Sequence, residues 1–321
     1  MAYLSNVVYH RHDVATWMRT SVQACTRNMP ESKHPLEQNG TGRRGVWERW
    51  ANESGCTVEE GLFYDTYIRE PHDQEKQTHP VLVVIAFRGT ENTRLQWGSD
   101  WMDNILSATG IAPRQYVSAI DRLKVTMAAL AELKEKRAAL GQNLEIYAAG
   151  HSLGGGLAQQ AAYLYEEITA VFAFNSSPVT NWTQLVLWDE GRHIKNPDPT
   201  VFRVEQQGEF LDYVRFVTTR ATSRMLGRTD IEFNFGAAGP FKGHSIAALS
   251  CHLAIRAAES SEPTAGPLGY TGDEALKLAH PSGVKDLGCD HGALKTICEV
   301  TSVTLKACRV FERLEQASQA N

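Results

Sequence analysis

The sequence predicts an α/β fold in which a mainly parallel central sheet is flanked by helices. Apolar runs alternate with segments of helical composition, the pattern of strands linked by crossover helices. Residues 81–87 are continuously apolar, as expected for a strand covered on both faces. A second buried-type run, Asn143–Ala149, leads directly into the glycine-rich turn Gly150–Gly154. With 321 residues, the chain is long enough for one large domain of this class or for two small ones.

The elements follow from apolar spacing and from glycines and prolines at their ends. In chain order we predict a helix at Leu4–Thr20, a loop at 26–45, strands at Leu62–Arg69 and Val81–Arg88, a helix at Pro113–Leu140, a strand at Asn143–Ala149, a helix at Leu157–Glu167, and strands at Ile168–Asn175 and Thr200–Glu205. The longest helix has apolar residues at helical spacing from Tyr116 to Leu130, and Gly141 is its stop.

The end of the chain is predicted to be an extra segment of loops and one helix. Residues 258–288 are rich in Gly, Pro and Ser, and the stretch from Ile297 to Leu314 has one apolar helical face. We therefore divide the chain into an α/β domain at 1–257 and a C-terminal segment at 258–321 that packs on the same domain.

Composition narrows the range of partners. A net charge of −5 gives no basic footprint, so nucleic acid is not an expected partner. No apolar run is long enough to span a bilayer, and the N-terminus lacks the layout of a secretory signal. We expect a cytoplasmic protein, or an exported one whose signal is absent from this chain. Six cysteines, at 25, 56, 251, 289, 298 and 308, match no zinc spacing and leave disulfides and free thiols both open.

The turn at Gly150–Gly154 reads GHSLG and sits between a predicted strand and a predicted helix. In that context a serine is held in a strained conformation that exposes its hydroxyl above the sheet. The flanking glycines allow strand and helix to approach closely, and the helix N-terminus favours an oxyanion. No lysine follows the glycines, as a phosphate-binding loop would require. We therefore predict Ser152 as a nucleophile.

A serine nucleophile needs a histidine base, and in α/β-hydrolase sheets the order along the chain is serine, acid, histidine. That order excludes His151 and leaves the downstream candidates His244, His252, His280 and His291. We choose His244 because it follows a glycine-rich segment at a loop-to-helix junction. His252 lies further along that helix, where a packed or exposed histidine is expected.

The acid is expected after the strand that ends near Glu205. Glu209 is the first carboxylate beyond Gly208, and Asp212 is its rival. The oxyanion requires two donors, which we assign to the backbone N–H of Leu153 and to Thr90 after the earlier apolar strand.

These pieces resemble the class 3, or fungal-type, lipase family of the α/β-hydrolase superfamily. The resemblance covers about residues 1–255. Its matching stretches are Leu4–Tyr9, Val84–Thr90, Asp100–Trp101, Gly150–Gly155 and Val201–Val204. It implies a serine ester hydrolase with Ser152 and His244 in its triad, and a lid at Glu91–Ser99 whose apolar residues are Leu95 and Trp97. That family usually has aspartate where this chain has Glu209.

The resulting functional prediction is hydrolysis of carboxylic esters, most of all lipid esters as in a triacylglycerol lipase or esterase, through an acyl-enzyme. This mechanism requires neither a metal nor an organic cofactor. A phospholipase or an acyltransferase would use the same triad, because water and alcohols compete for one acyl-enzyme. From another class, the alternative is a catalytically silent hydrolase fold that serves as an interaction module. The expected partners are an ester substrate and, transiently, a lipid interface, while the oligomeric state stays open.

Overall fold

The computed structural model describes residues 1–8, 47–50, 55–57, 62–71, 78–89, 114–179, 194–209, 211–212, 227–233 and 243–259. Its helices and strands, numbered in chain order, are α1 (Ala2–Val7), β1 (Trp47–Arg49), β2 (Gly55–Thr57), β3 (Leu62–Arg69), β4 (Val81–Phe87), α2 (Arg114–Ala138), β5 (Leu144–His151), α3 (Leu153–Leu164), β6 (Ile168–Phe174), β7 (Val201–Gln206), β8 (Arg228–Phe233) and α4 (Ile246–Glu259). No helix within these ranges has both the length and the apolar composition needed to cross a bilayer.

The described strands form one eight-stranded sheet in the order β1-β3-β4-β5-β6-β7-β8, with β2 paired to β3. Strands β4 to β8 run parallel, whereas β3 is antiparallel to β4. The register sets Phe87 beside Gly150, and His151 beside Phe174, so the carboxyl ends of β4, β5 and β6 meet at one edge. This arrangement is the predicted α/β-hydrolase fold, and that edge is where open α/β sheets bind ligands.

Helices cover both faces of the sheet, as the apolar run of β4 requires. On one face α2 and α3 share a core with β4 and β5 that includes Leu123, Leu157 and Ile85. On the other face Leu4 of α1 packs with Val84. All seven residues of β4 are buried, which agrees with its lack of polar side chains.

Several element boundaries differ from the predictions. The helix predicted to begin at Leu157 begins at Leu153, because three glycines pack against neighbouring elements as its first turn. Strands β1, β2 and β8 were not predicted, since two have three residues each and β8 carries charges. The predicted stop at Gly141 is confirmed by its φ of +70° just after α2.

Other predictions fall wholly or partly on residues that the structure does not describe. The first helix is described as Ala2–Val7, and its predicted continuation to Thr20 lies outside the described ranges. The loop at 26–45 and the helix near 297–314 lie outside them as well. Helix α4 reaches Glu259, two residues beyond the domain boundary that we predicted at 257.

Candidate active site

Ser152 occupies a strained turn between β5 and α3. Its φ of 56° and ψ of −128° lie in a region that non-glycine residues rarely adopt. The Ser152 N–H donates to the carbonyl of Phe174 at 3.0 Å, and the Ser152 carbonyl accepts from Ser177 N–H at 3.0 Å. Its side chain does not cap α3. The sequence prediction of a strained serine at this turn is thus confirmed for the backbone.

Two glycines of the turn allow three elements to meet behind Ser152. A Cβ added to Gly150 would lie 2.2 Å from the carbonyl oxygen of Gly154, where strand and helix approach each other. A Cβ on Gly154 would lie 2.4 Å from the carbonyl oxygen of Phe87, at the end of β4. Real Cβ atoms do not approach backbone this closely, so the glycines are needed for packing, as the sequence predicts.

His244 pairs with Glu209 at the edge of the sheet where Ser152 lies. The His244 Nδ1–H donates to Glu209 Oε2 at 2.6 Å, and the same oxygen accepts from Leu211 N–H at 3.1 Å. Glu209 is 2% exposed and His244 is 6% exposed. A donating Nδ1 leaves Nε2 as the basic nitrogen of the neutral ring.

Asp212, the rival acid, has another contact in the same turn. Its Oδ2 accepts from Gly208 N–H at 3.2 Å, and its side chain is partly exposed. Gly208 has a φ of +74°, which turns the chain sharply after β7 and points the next side chain, Glu209, inward. Of the two predicted carboxylates, the structure therefore pairs Glu209 with His244 Nδ1.

Two more residues hold the backbone around His244, and the sequence did not identify either as functional. The His151 Nε2–H donates to the carbonyl of His244 at 2.6 Å, and the two rings lie 4.6 Å apart between centroids. Asn175 Nδ2 donates to the carbonyl of Gly243 at 3.1 Å. The strand-end position of Asn175 was the single sequence signal for it, and His151 was set aside as a base by chain order alone.

Of the two predicted oxyanion donors, the structure describes Leu153. Leu153 is the first residue of α3, so its N–H has no intrahelical acceptor and lies beside Ser152. Thr90 lies outside the described residues, as do Leu95 and Trp97 of the predicted lid. The strand before Thr90 ends next to the turn, since Gly154 packs against Phe87.

The remaining candidates lie elsewhere or are not described. His252 is buried within α4, as expected for a packed helical histidine, while His280 and His291 fall outside the described ranges. Cys251 is disulfide-bonded, which resolves for this cysteine the question that the sequence left open. Within the described part of the chain, no group of three or more His, Cys, Asp and Glu side chains is arranged to hold a metal ion.

The mainly parallel sheet and the strained serine turn between β5 and α3 have the arrangement of an α/β-hydrolase. Residues 1–233 match the Tle-like phospholipase domain, and the chain belongs to that phospholipase-like family. The matched region contains Ser152 and Glu209 and ends before His244. The match confirms the prediction that the chain belongs to a lipase-like α/β-hydrolase family.

Similar proteins include an extracellular phospholipase A1 from Serratia liquefaciens, which is 39% identical over 100 residues. That alignment covers 31% of this chain and a quarter of the relative's length (25%). A lipase from Rhizopus microsporus var. chinensis has a TM-score of 0.33 at 14% identity over 66% of each chain. Lipase II from Rhizopus niveus has a TM-score of 0.33 at 12% identity, over 66% of this chain and 71% of its own.

Proposed function

We propose that this protein hydrolyses carboxylic ester bonds of phospholipids through an acyl-enzyme on Ser152. The observation that carries the proposal is the buried Glu209–His244 pair, 2.6 Å between Oε2 and Nδ1, at the same sheet edge as the strained Ser152. A serine hydroxyl becomes an effective nucleophile only when a neighbouring base takes its proton. A carboxylate at Nδ1 orients that base and stabilises it once it is charged.

The chemistry proceeds in two balanced halves. Ser152 Oγ attacks the ester carbonyl carbon while His244 Nε2 takes the hydroxyl proton, and the carbonyl oxygen becomes an oxyanion. The N–H of Leu153 and the predicted donor Thr90 stabilise that oxyanion. The intermediate collapses, the bond to the alcohol breaks, and His244 returns the proton to the departing lysophospholipid. Water then attacks the acyl-enzyme carbonyl carbon while His244 Nε2 takes a proton from it. The bond to Ser152 Oγ breaks, His244 returns that proton to Oγ, and the fatty acid leaves.

The substrate class is supported by the family and by the named relative. The family description is of a phospholipase domain, and the relative from Serratia liquefaciens is named a phospholipase A1. Triacylglycerols and simple esters contain the same reacting bond, so the triad alone does not choose among them. We therefore propose phospholipid esters as the substrate class. Other lipid esters are the alternative substrates in the test below.

Export to an oxidising compartment is the location that we propose. Disulfides persist mainly in such compartments, and Cys251 is disulfide-bonded. The Serratia liquefaciens relative is named an extracellular enzyme. Counting free thiols by alkylation and mass spectrometry, on protein purified from its native host without reductant, would test this. Six alkylated cysteines would argue against export.

The test of function compares two substrate series. We expect the wild-type protein to release fatty acid and lysophospholipid from diacyl phosphatidylcholine vesicles, and to cleave p-nitrophenyl esters with a rate that rises from acetyl to longer chains. Ser152→Ala should remove both activities. Activity confined to triacylglycerol or to short esters would contradict the phospholipid assignment while leaving the triad in place. Equal activity in folded Ser152→Ala would contradict the mechanism.

The two rival functions require their own readouts. Adding an alcohol acceptor to the same assay distinguishes hydrolysis from acyl transfer, because a transferase would yield more new ester than free fatty acid. A silent interaction module would neither hydrolyse any ester of the series nor react with a fluorophosphonate. Either result would replace the proposal with the corresponding alternative.

A further inference from the structure

The backbone that carries His244 is held at two adjacent carbonyls by side chains from the central sheet. Asn175 Nδ2 donates to the Gly243 carbonyl at 3.1 Å, and His151 Nε2 donates to the His244 carbonyl at 2.6 Å. His151 and Asn175 are 6% and 0% exposed. These contacts connect residues that are 93 and 68 positions apart in the chain, so they fix the approach of His244 to the sheet.

The same two strand ends also hold the serine. His151 is the last residue of β5 and directly precedes Ser152. Asn175 directly follows Phe174, whose carbonyl accepts the Ser152 N–H at 3.0 Å. Nucleophile and base are therefore attached to one pair of neighbouring strand ends. A shift of His244 relative to Ser152 would require one of these hydrogen bonds to lengthen.

Asn175 is suited to this position by its backbone conformation and by a side-chain amide that both donates and accepts a hydrogen bond. Its φ of 39° lies in the left-handed region, which asparagine tolerates better than most residues. While Nδ2 contacts Gly243, Oδ1 accepts from Gln206 N–H at 2.7 Å, just beyond the Phe174–Val204 pairing. The side chain thus links the end of β7 to the segment of His244.

We propose that His151 and Asn175 are positioning residues that set the place of the His244 imidazole relative to Ser152. This inference rests on the proposed function, since it assigns them a role in that triad. They act through the backbone of residues 243–244 and leave proton transfer to His244. Loss of either donor allows the segment before α4 to move, and a displacement of about 1 Å in such a site can cost on the order of a hundredfold in rate.

For His151, two substitutions separate the packing of the ring from the hydrogen bond that Nε2–H donates. His151→Phe keeps an aromatic ring against His244 but removes the N–H, whereas His151→Gln loses the ring and presents an amide donor near the place of Nε2. We expect kcat of His151→Phe to fall about tenfold to a hundredfold with KM changed less than about twofold. His151→Gln should stay within about threefold of wild type. A kcat that falls more in His151→Gln than in His151→Phe would show that packing of the ring matters and the hydrogen bond does not. That result would overturn the proposal for His151.

For Asn175 the isosteric variant Asn175→Asp separates the two hydrogen bonds. It keeps an acceptor for Gln206 N–H and the tolerance of positive φ, but it sets a second acceptor against the Gly243 carbonyl. We expect kcat to fall at least about tenfold at unchanged KM. Wild-type kcat in folded Asn175→Asp would overturn the role of Asn175.

A control variant separates the positioning role from a general loss of stability. A double variant separates it from failure of the proposed function. Arg137→Met removes hydrogen bonds to Glu70 (3.2 Å) and Gln142 (2.9 Å) at the edge of the sheet opposite Ser152, so it should lower the unfolding midpoint without changing kcat. In a His244→Ala background, His151→Phe should cause no further loss of residual hydrolysis. A further loss there would overturn positioning through His244. Full activity of His244→Ala alone would instead refute the proposed triad.

Discussion

Replacing Glu209 with glutamine removes one negative charge from the contact that holds His244. A glutamine whose carbonyl oxygen takes the place of Oε2 keeps the hydrogen bonds from His244 Nδ1 and Leu211 N–H. The volume of the side chain is almost unchanged. The variant therefore isolates the charge that stabilises the imidazolium formed during attack.

The size of the effect follows from that charge. Opposite unit charges about 4 Å apart gain about 4 kcal/mol at an effective dielectric constant of about 20. Losing this attraction in the transition state lowers kcat about a thousandfold. If the glutamine instead turned its NH2 group toward His244 Nδ1, it would favour the wrong tautomer of the ring and lower kcat further, toward about ten-thousandfold. Asp212→Asn, by contrast, keeps an oxygen for Gly208 N–H at a partly exposed position, so kcat should change less than about threefold.

The assay is steady-state hydrolysis of a p-nitrophenyl ester, together with the rate of fluorophosphonate labelling and the thermal unfolding midpoint of each variant. We expect Glu209→Gln to fold and to lose both hydrolysis and labelling, while Asp212→Asn behaves as wild type. A folded Glu209→Gln with near-normal kcat, or a greater loss in Asp212→Asn, would refute the assignment of the acid.

Three further predictions concern the stability of the fold. Gly154→Ala should lower the free energy of unfolding by about 1–3 kcal/mol and slow fluorophosphonate labelling, because its Cβ would lie 2.4 Å from the Phe87 carbonyl oxygen. Gly141→Ala, with φ +70° and nothing within 4 Å of the new Cβ, should cost about 1 kcal/mol in chemical denaturation and leave kcat unchanged. Glu205→Gln should lower the free energy of unfolding by about 1–3 kcal/mol, because Arg203 loses its buried carboxylate partner and keeps a longer contact, 3.7 Å, to the exposed Asp230. Adding Arg203→Met should restore part of the loss. Normal fluorophosphonate labelling in Gly154→Ala, a lower kcat in Gly141→Ala, or no recovery in the double variant would contradict these reasons.

The parts of the fold that could be read from the sequence are those in which local pattern and burial agree. Strand β4 has seven apolar residues in a row and is buried throughout, and β3 spans the predicted Leu62–Arg69. Strand β8 escaped prediction because its charged residues lie at a partly exposed position of the sheet, where burial does not select apolar side chains. The first turn of α3 escaped because glycines have low helix propensity, and close packing overrides that preference here.

The site could be read in part for the same reason. Ser152 and His244 stand out because the turn and the loop-to-helix junction are local patterns. The sequence does not separate Glu209 from Asp212, since the direction of each side chain depends on the turn at Gly208. For Asn175 the sequence offers its position at the end of a predicted strand and nothing more specific, because its partner is 68 residues away and no local pattern encodes such a hydrogen bond.

The most direct test of the central claim is the site at which a fluorophosphonate labels the intact, folded protein, determined by peptide mass spectrometry. We predict one adduct, on Ser152, formed at a rate that falls at least about a hundredfold in His244→Ala. Hydrolytically active protein that is labelled at another residue, or that is not labelled at all, would contradict an acyl-enzyme on Ser152.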